Sequence, residues 1–83
     1  MKITLKYFAS IREAIGRGTE SVDTHASTLG ALRDELIARG GDYALGLARG
    51  KTLRMALNQV MAEESAALVD GAEIAFFPPV TGG

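Results

Sequence analysis

Few side chains in this sequence could do chemistry of their own, and the chain end stands out against them. It reads Phe76-Phe77-Pro78-Pro79-Val80-Thr81-Gly82-Gly83. The tail after Pro78 carries no charged side chain, and its last two residues carry none at all. Fully extended, five residues reach roughly 17 Å. So thin an end can enter a narrow channel and place its carboxylate deep in another protein's active site. A Gly-Gly pair also arises by chance and in frayed termini. Here it follows directly on a stiff Pro-Pro step, which makes it a better signal.

The other chemistry-bearing residues fall away one by one. There is no cysteine, so thiol nucleophiles, thiolate metal sites and disulfides are excluded. His25 is the single histidine, without metal-ligand spacing, and reads as a surface loop residue. No metal site is expected. Glu63-Glu64 reads as a solvated loop, because nothing apolar nearby would raise a carboxyl pKa. Arg49, Lys51 and Arg54 form a basic cluster that could meet an acidic surface on a partner enzyme, with a solvated face the better reading. The scattered glycines make no phosphate loop. Ser10 has no general base near it in sequence and is accounted for as a helix cap.

The elements that must position the tail follow from periodicity. Residues 2–8 alternate, with Ile3, Leu5 and Tyr7 on one side and Phe8 on the other, the period of a strand. Ser10-Ile11-Arg12-Glu13 matches a capping box, which predicts a short helix ending at Gly16. Residues 19–24 form a weaker strand. Leu29, Leu32, Leu36 and Ile37 make the apolar stripe of a helix over 29–39, capped by Ser27 or Thr28 and stopped by Gly40-Gly41. Arg33, Asp34 and Glu35 lie off that stripe, and Arg39 suits its C-terminal dipole. Residues 42–50 are ambiguous. A strand over 53–58, a short partner at 60–61, a turn at Asp70-Gly71 and a final strand over 72–78 complete the order.

One substantial helix is expected to lie across one face of a mixed sheet, an α+β arrangement with a domain over 1–78 and a flexible tail over 79–83. If Ile3, Leu5, Tyr7, Ile74 and Phe76 face the helix, then Phe8 and Phe77, with Met61, face the other way. Either loops such as 42–50 fold over them, or they form a contact surface. The tail argument favours the contact surface.

The 83 residues allow a single domain. Nine basic against ten acidic residues leave a net charge of −1, which argues against a nucleic-acid binder. No apolar run approaches bilayer thickness, and the alternating charges of the first residues form no signal peptide. A cytoplasmic location, with no membrane contact, is expected.

The terminal FFPPVTGG, preceded by DGAEIA, resembles the end of the small, sulfur-carrying subunit of molybdopterin synthase. KYFASIREAIG, the TLGALRDELIARG helix and ALNQ extend the resemblance over most of the chain, while 40–50 matches loosely. That family has the ubiquitin-like β-grasp fold. The resemblance implies that Gly83 is adenylated, at the cost of ATP, by a partner resembling ubiquitin-activating enzymes. Sulfur from a sulfurtransferase system then converts it to a thiocarboxylate, whose sulfur passes to a cyclic pyranopterin monophosphate to build the molybdopterin dithiolene. It further implies that Pro79, Val80, Thr81 and Gly82 thread into the synthase large subunit, which holds the catalytic pocket, while Phe8, Met61 and Phe77 dock on it. A heterotetramer of two carriers and two large subunits is implied, and no cofactor on this chain. Related carriers for thiamine thiazole or tRNA thiolation, and ubiquitin-like modifiers, are the alternatives, and a non-catalytic interaction module is one of another class.

Overall fold

A computed structural model describes residues 1–79 of the chain. The strands are β1 (Lys2–Tyr7), β2 (Thr19–Asp23), β3 (Arg54–Leu57), β4 (Val60–Ala62) and β5 (Glu73–Phe77). The helices are α1 (Ala9–Ile15), α2 (Leu29–Ile37) and α3 (Gly41–Leu47). The sheet runs β2-β1-β5-β3-β4. β1 and β5 pair in parallel at its centre, and every other pair is antiparallel. This is the α+β, β-grasp arrangement.

Alternation decides which side chains enter the core. Ile3, Leu5 and Tyr7 of β1 and Ile74 and Phe76 of β5 are each at most 1% exposed. They meet Leu29, Leu32 and Leu36 from the stripe of α2 in one apolar cluster. Tyr7 and Phe76 are register partners, and their rings stack at 6.0 Å. The Thr28 hydroxyl caps α2 by accepting from the Ala31 N–H at 3.1 Å. A tight turn with positive φ at Asn58 and Gln59 joins β3 to β4.

Several expectations change. Ser10 caps nothing: the extended backbone runs on through Phe8, whose carbonyl accepts from the N–H groups of Ile11 and Arg12. The helix therefore begins two residues before a capping box would allow. Residues 42–50 are not an irregular cover, since 41–47 form α3 and pack against α1 and α2. Gly46 permits that contact, because a Cβ there would stand 3.1 Å from Ile15 Cγ1. Arg39 lies beyond the end of α2, where it covers the Tyr43 ring at 5.0 Å and pairs with Glu20 at 3.6 Å.

Arg33 is the largest departure. It is 4% exposed. Its guanidinium donates to the carbonyls of Leu47 (2.8 Å), Ala48 (2.6 Å) and Lys51 (2.9 Å), which follow from the end of α3. Glu64, half-buried, balances the charge at 3.3 Å and also holds Arg49, which reaches Asp34 and the Gly30 carbonyl. Glu64 is thus a structural acid, and Arg49 is committed inside the molecule. The other polar hub is Glu20, which accepts from the hydroxyls of Tyr7 (2.8 Å) and Tyr43 (2.6 Å) and ties β1, β2 and α3 together.

Two outcomes follow from these hubs. Arg33→Met should lower stability by about 2–4 kcal/mol in urea unfolding, because the Leu47, Ala48 and Lys51 carbonyls lose the guanidinium and only Ala48 retains the Lys51 N–H. Burial, then the Glu20 carboxylate, push the Tyr7 phenol above its ordinary range. A raised folded-state value means this stability is fully present below the unfolded phenol's pKa of about 10 and is lost as pH rises beyond it. Urea midpoints taken on either side of that pH should fall more for the parent protein than for Tyr7→Phe.

Candidate docking site at the root of the tail

The helices occupy one side of the sheet, so the residues of opposite parity face outward. Phe8 (47% exposed) and Met61 (56%) lie on that open face, and Phe77 is half-buried beside them. The rings of Phe8 and Phe77 meet edge to face at 6.3 Å, a favourable aromatic geometry. Met61, on β4, lies two strands away from Phe77. Register places it at the far end of a row that runs Lys6, Ala75, Ala56, Met61 across β1, β5, β3 and β4. The two alanines keep that row low, so the face has an aromatic pair on one side, a methionine on the other and a shallow floor between. No part of 41–47 covers Phe8 or Phe77, because α3 lies with α1 and α2 on the opposite side.

The tail begins at the edge of this face. Phe77 is the last residue of β5, and the Phe8 N–H donates to the Phe76 carbonyl at 3.1 Å, which ties the two strand ends together. Pro78 and Pro79 follow and form one wall of a cleft of ≈ 330 Å³. Ser10, Ile11, Lys51 and Leu53 are among the residues on its other sides. Because Pro78 has no N–H to donate, it cannot extend the ladder, and the chain must leave the sheet there. The remaining tail positions, Val80, Thr81, Gly82 and Gly83, lie outside the described residues.

The basic cluster read from the sequence is dispersed by the fold. Arg49 is held by Asp34 and Glu64, and its hydrogen bond keeps the Asp34 carboxyl below the usual carboxylate range. Lys51 borders the tail cleft, and Arg54 stands on the sheet face beside Phe77. Sequence reading missed Arg54, Ala56 and Ala75 as parts of this face. Carrying the parity argument from β5 onto the 53–58 strand would have found them. His25 is exposed, and among the described residues no three His, Asp or Glu side chains converge to hold a metal. Among the described residues, too, no helix is long and apolar enough to cross a membrane.

This architecture recurs in known proteins. The molybdopterin synthase sulfur carrier subunit of Escherichia coli is 42% identical over 81 residues, covering 98% of this chain and 99% of its own length. In the crystal structure of SAMP1 from Haloferax volcanii, 28% identical, the whole of both chains superposes with a TM-score of 0.77. A chain in the complex of subunits 1 and 2 of the molybdopterin-converting factor from Helicobacter pylori, 27% identical, also matches over the full length of both, with a TM-score of 0.67. A ubiquitin-like β-grasp sheet, an open aromatic face and a sequence that follows the family pattern over residues 5–83, tail included, lead to one assignment: the chain belongs to the ThiS family.

Proposed function

We propose that this chain is the sulfur-carrying subunit of a molybdopterin synthase and serves molybdenum cofactor biosynthesis. The observation that carries this reading is the near full-length identity to a curated sulfur carrier subunit. The bare aromatic face next to the tail root gives it a physical basis, since a partner can grip Phe8, Phe77 and Met61 while the tail reaches past Pro79 into its active site. A full-length structural relative solved in a complex of two converting-factor subunits points to the class of that partner.

In this reading the reacting group is the carboxylate of Gly83. A carboxylate is a poor electrophile, so an activating enzyme joins it to AMP at the cost of ATP, which creates a good leaving group. The outer sulfur of a sulfurtransferase persulfide displaces AMP to give an acyl disulfide. A second thiol then attacks the sulfurtransferase sulfur, forming a disulfide with it and releasing the thiocarboxylate. Polarisable sulfur is then the nucleophile that attacks the cyclic pyranopterin monophosphate. The chain acts as a recyclable co-substrate: Pro79, Val80, Thr81 and Gly82 deliver the group, and acid–base residues belong to the large subunit. A protein carrying sulfur without any cysteine needs such a group, and the sequence offers its terminal carboxylate. The likeness to SAMP1 favours a second reading, a ubiquitin-like modifier, in which a lysine amine would attack the same activated carbonyl.

Intact-mass analysis of the protein isolated from sulfur-replete cells should find one oxygen replaced by sulfur at Gly83. Deleting Gly82-Gly83 should abolish molybdoenzyme activity in those cells, and normal activity would leave only a binding module. Conjugates on lysines, without a thiocarboxylate, would favour the modifier. Phe77→Lys should weaken binding to the large subunit by about 30-fold or more, as expected for a central aromatic anchor, and should shift the unfolding free energy by less than about 1 kcal/mol. Global unfolding of that variant would make Phe77 a core residue.

A further inference from the structure

Arg54 stands within the open face rather than outside it. It is exposed, and it is the cross-strand partner of Phe77. With Met61 and Glu63 it also borders a recess of ≈ 350 Å³ at the β3–β4 edge. It therefore lies between the aromatic pair and the methionine that would be covered together. The other cation on the same face, Lys6, already has a carboxylate, Glu73 at 3.2 Å. Arg54 has no salt bridge and no side-chain hydrogen bond among the described residues. Glu63 shares the recess but makes no bond to it.

A partner that covers Phe77 and Met61 strips water from the guanidinium between them. A desolvated charge left unpaired opposes binding, whereas a planar guanidinium meeting a carboxylate through two parallel N–H···O bonds favours it and fixes the register of docking. We propose that Arg54 is a specificity-determining residue of the docking face, and that the surface covering Phe77 carries an aspartate or glutamate opposite it. The proposal rests on the reading of this face as the site for the large subunit. It adds a charge requirement to an otherwise apolar contact, so a partner with an apolar or basic group at that point is rejected.

The test is titration of the purified full-length carrier against the large subunit from the same organism at two ionic strengths. Arg54→Ala should bind about 30-fold more weakly and with a shallower salt dependence, Arg54→Glu more weakly still, and Arg54→Lys should recover only part of the loss. Glu63→Gln should bind no more weakly than the parent. Parent-like binding by Arg54→Glu overturns the proposal, as does an Arg54→Ala loss with unchanged salt dependence. A loss in Glu63→Gln matching that of Arg54→Ala also overturns it, because the arginine would then be satisfied within its own chain. Phe77→Lys, run alongside, separates the two levels. Lost binding there with parent-like Arg54→Glu defeats the charge requirement alone, and unaffected binding defeats the docking reading itself.

Discussion

The parallel pairing of β1 with β5 is the constraint on which the rest of the molecule depends. It brings the first and last strands together at the centre of the sheet and locks Tyr7 against Phe76 on the inner side. Once that register is set, a period of two leaves Phe8 and Phe77 no choice but the outer side. A slip of one residue would exchange the faces, putting aromatic rings where α2 must pack and Tyr7 into water. The same pairing makes β5 the central strand, so the chain after Phe77 departs from the middle of the molecule rather than from a loose edge. The tail root and the open face are two consequences of one strand pair.

Two buried polar hubs hold the helical layer against that sheet. Arg33 ties down the chain that leaves α3 by donating to the carbonyls of Leu47, Ala48 and Lys51, of which Ala48 also accepts from the Lys51 N–H. Glu20 gathers two tyrosine hydroxyls with Arg17 and Arg39 around a nearly buried carboxylate. Both hubs join segments far apart in sequence, so they stabilise the tertiary arrangement and not any single element. They also occupy most of the charge on the helical side. The sheet side, by contrast, keeps its exposed apolar groups and Arg54, which has no salt bridge among the described residues, the composition expected of a surface that meets another protein.

The functional reading places the reactive group on the main chain, at the terminal carboxylate, and leaves the side chains to hold and present it. A carrier that visits an activating enzyme and then a synthase gains from keeping its own surface free of competing nucleophiles. What it needs in that reading is a rigid platform and a contact face at the tail root, and both follow from how the strands pair.

Much of this was legible in the residues alone, because it rests on local rules. Strand alternation over Ile3, Leu5 and Tyr7, the stripe of Leu29, Leu32 and Leu36, the glycine stop at Gly16 and the Pro-Pro exit each depend on neighbours within a few positions. Parity named Phe8 and Phe77 as outward, since it follows from the pleat, and the family resemblance added Met61. The sequence did not determine the fate of groups whose partners are distant. Arg33 sits off the leucine stripe and reads as a surface cation. Only the arrival of α3 and the chain that leaves it, with the carbonyls of Leu47, Ala48 and Lys51 within reach, turns it into a buried donor. Likewise 41–47 becomes helical because Gly46 allows it to press onto Ile15, a contact that exists only after α1 is in place. Periodicity reports how one element divides its faces between core and water. Which polar side chain is buried, and which is left beside an aromatic pair awaiting a partner, is decided by the packing of elements that meet only in the folded chain.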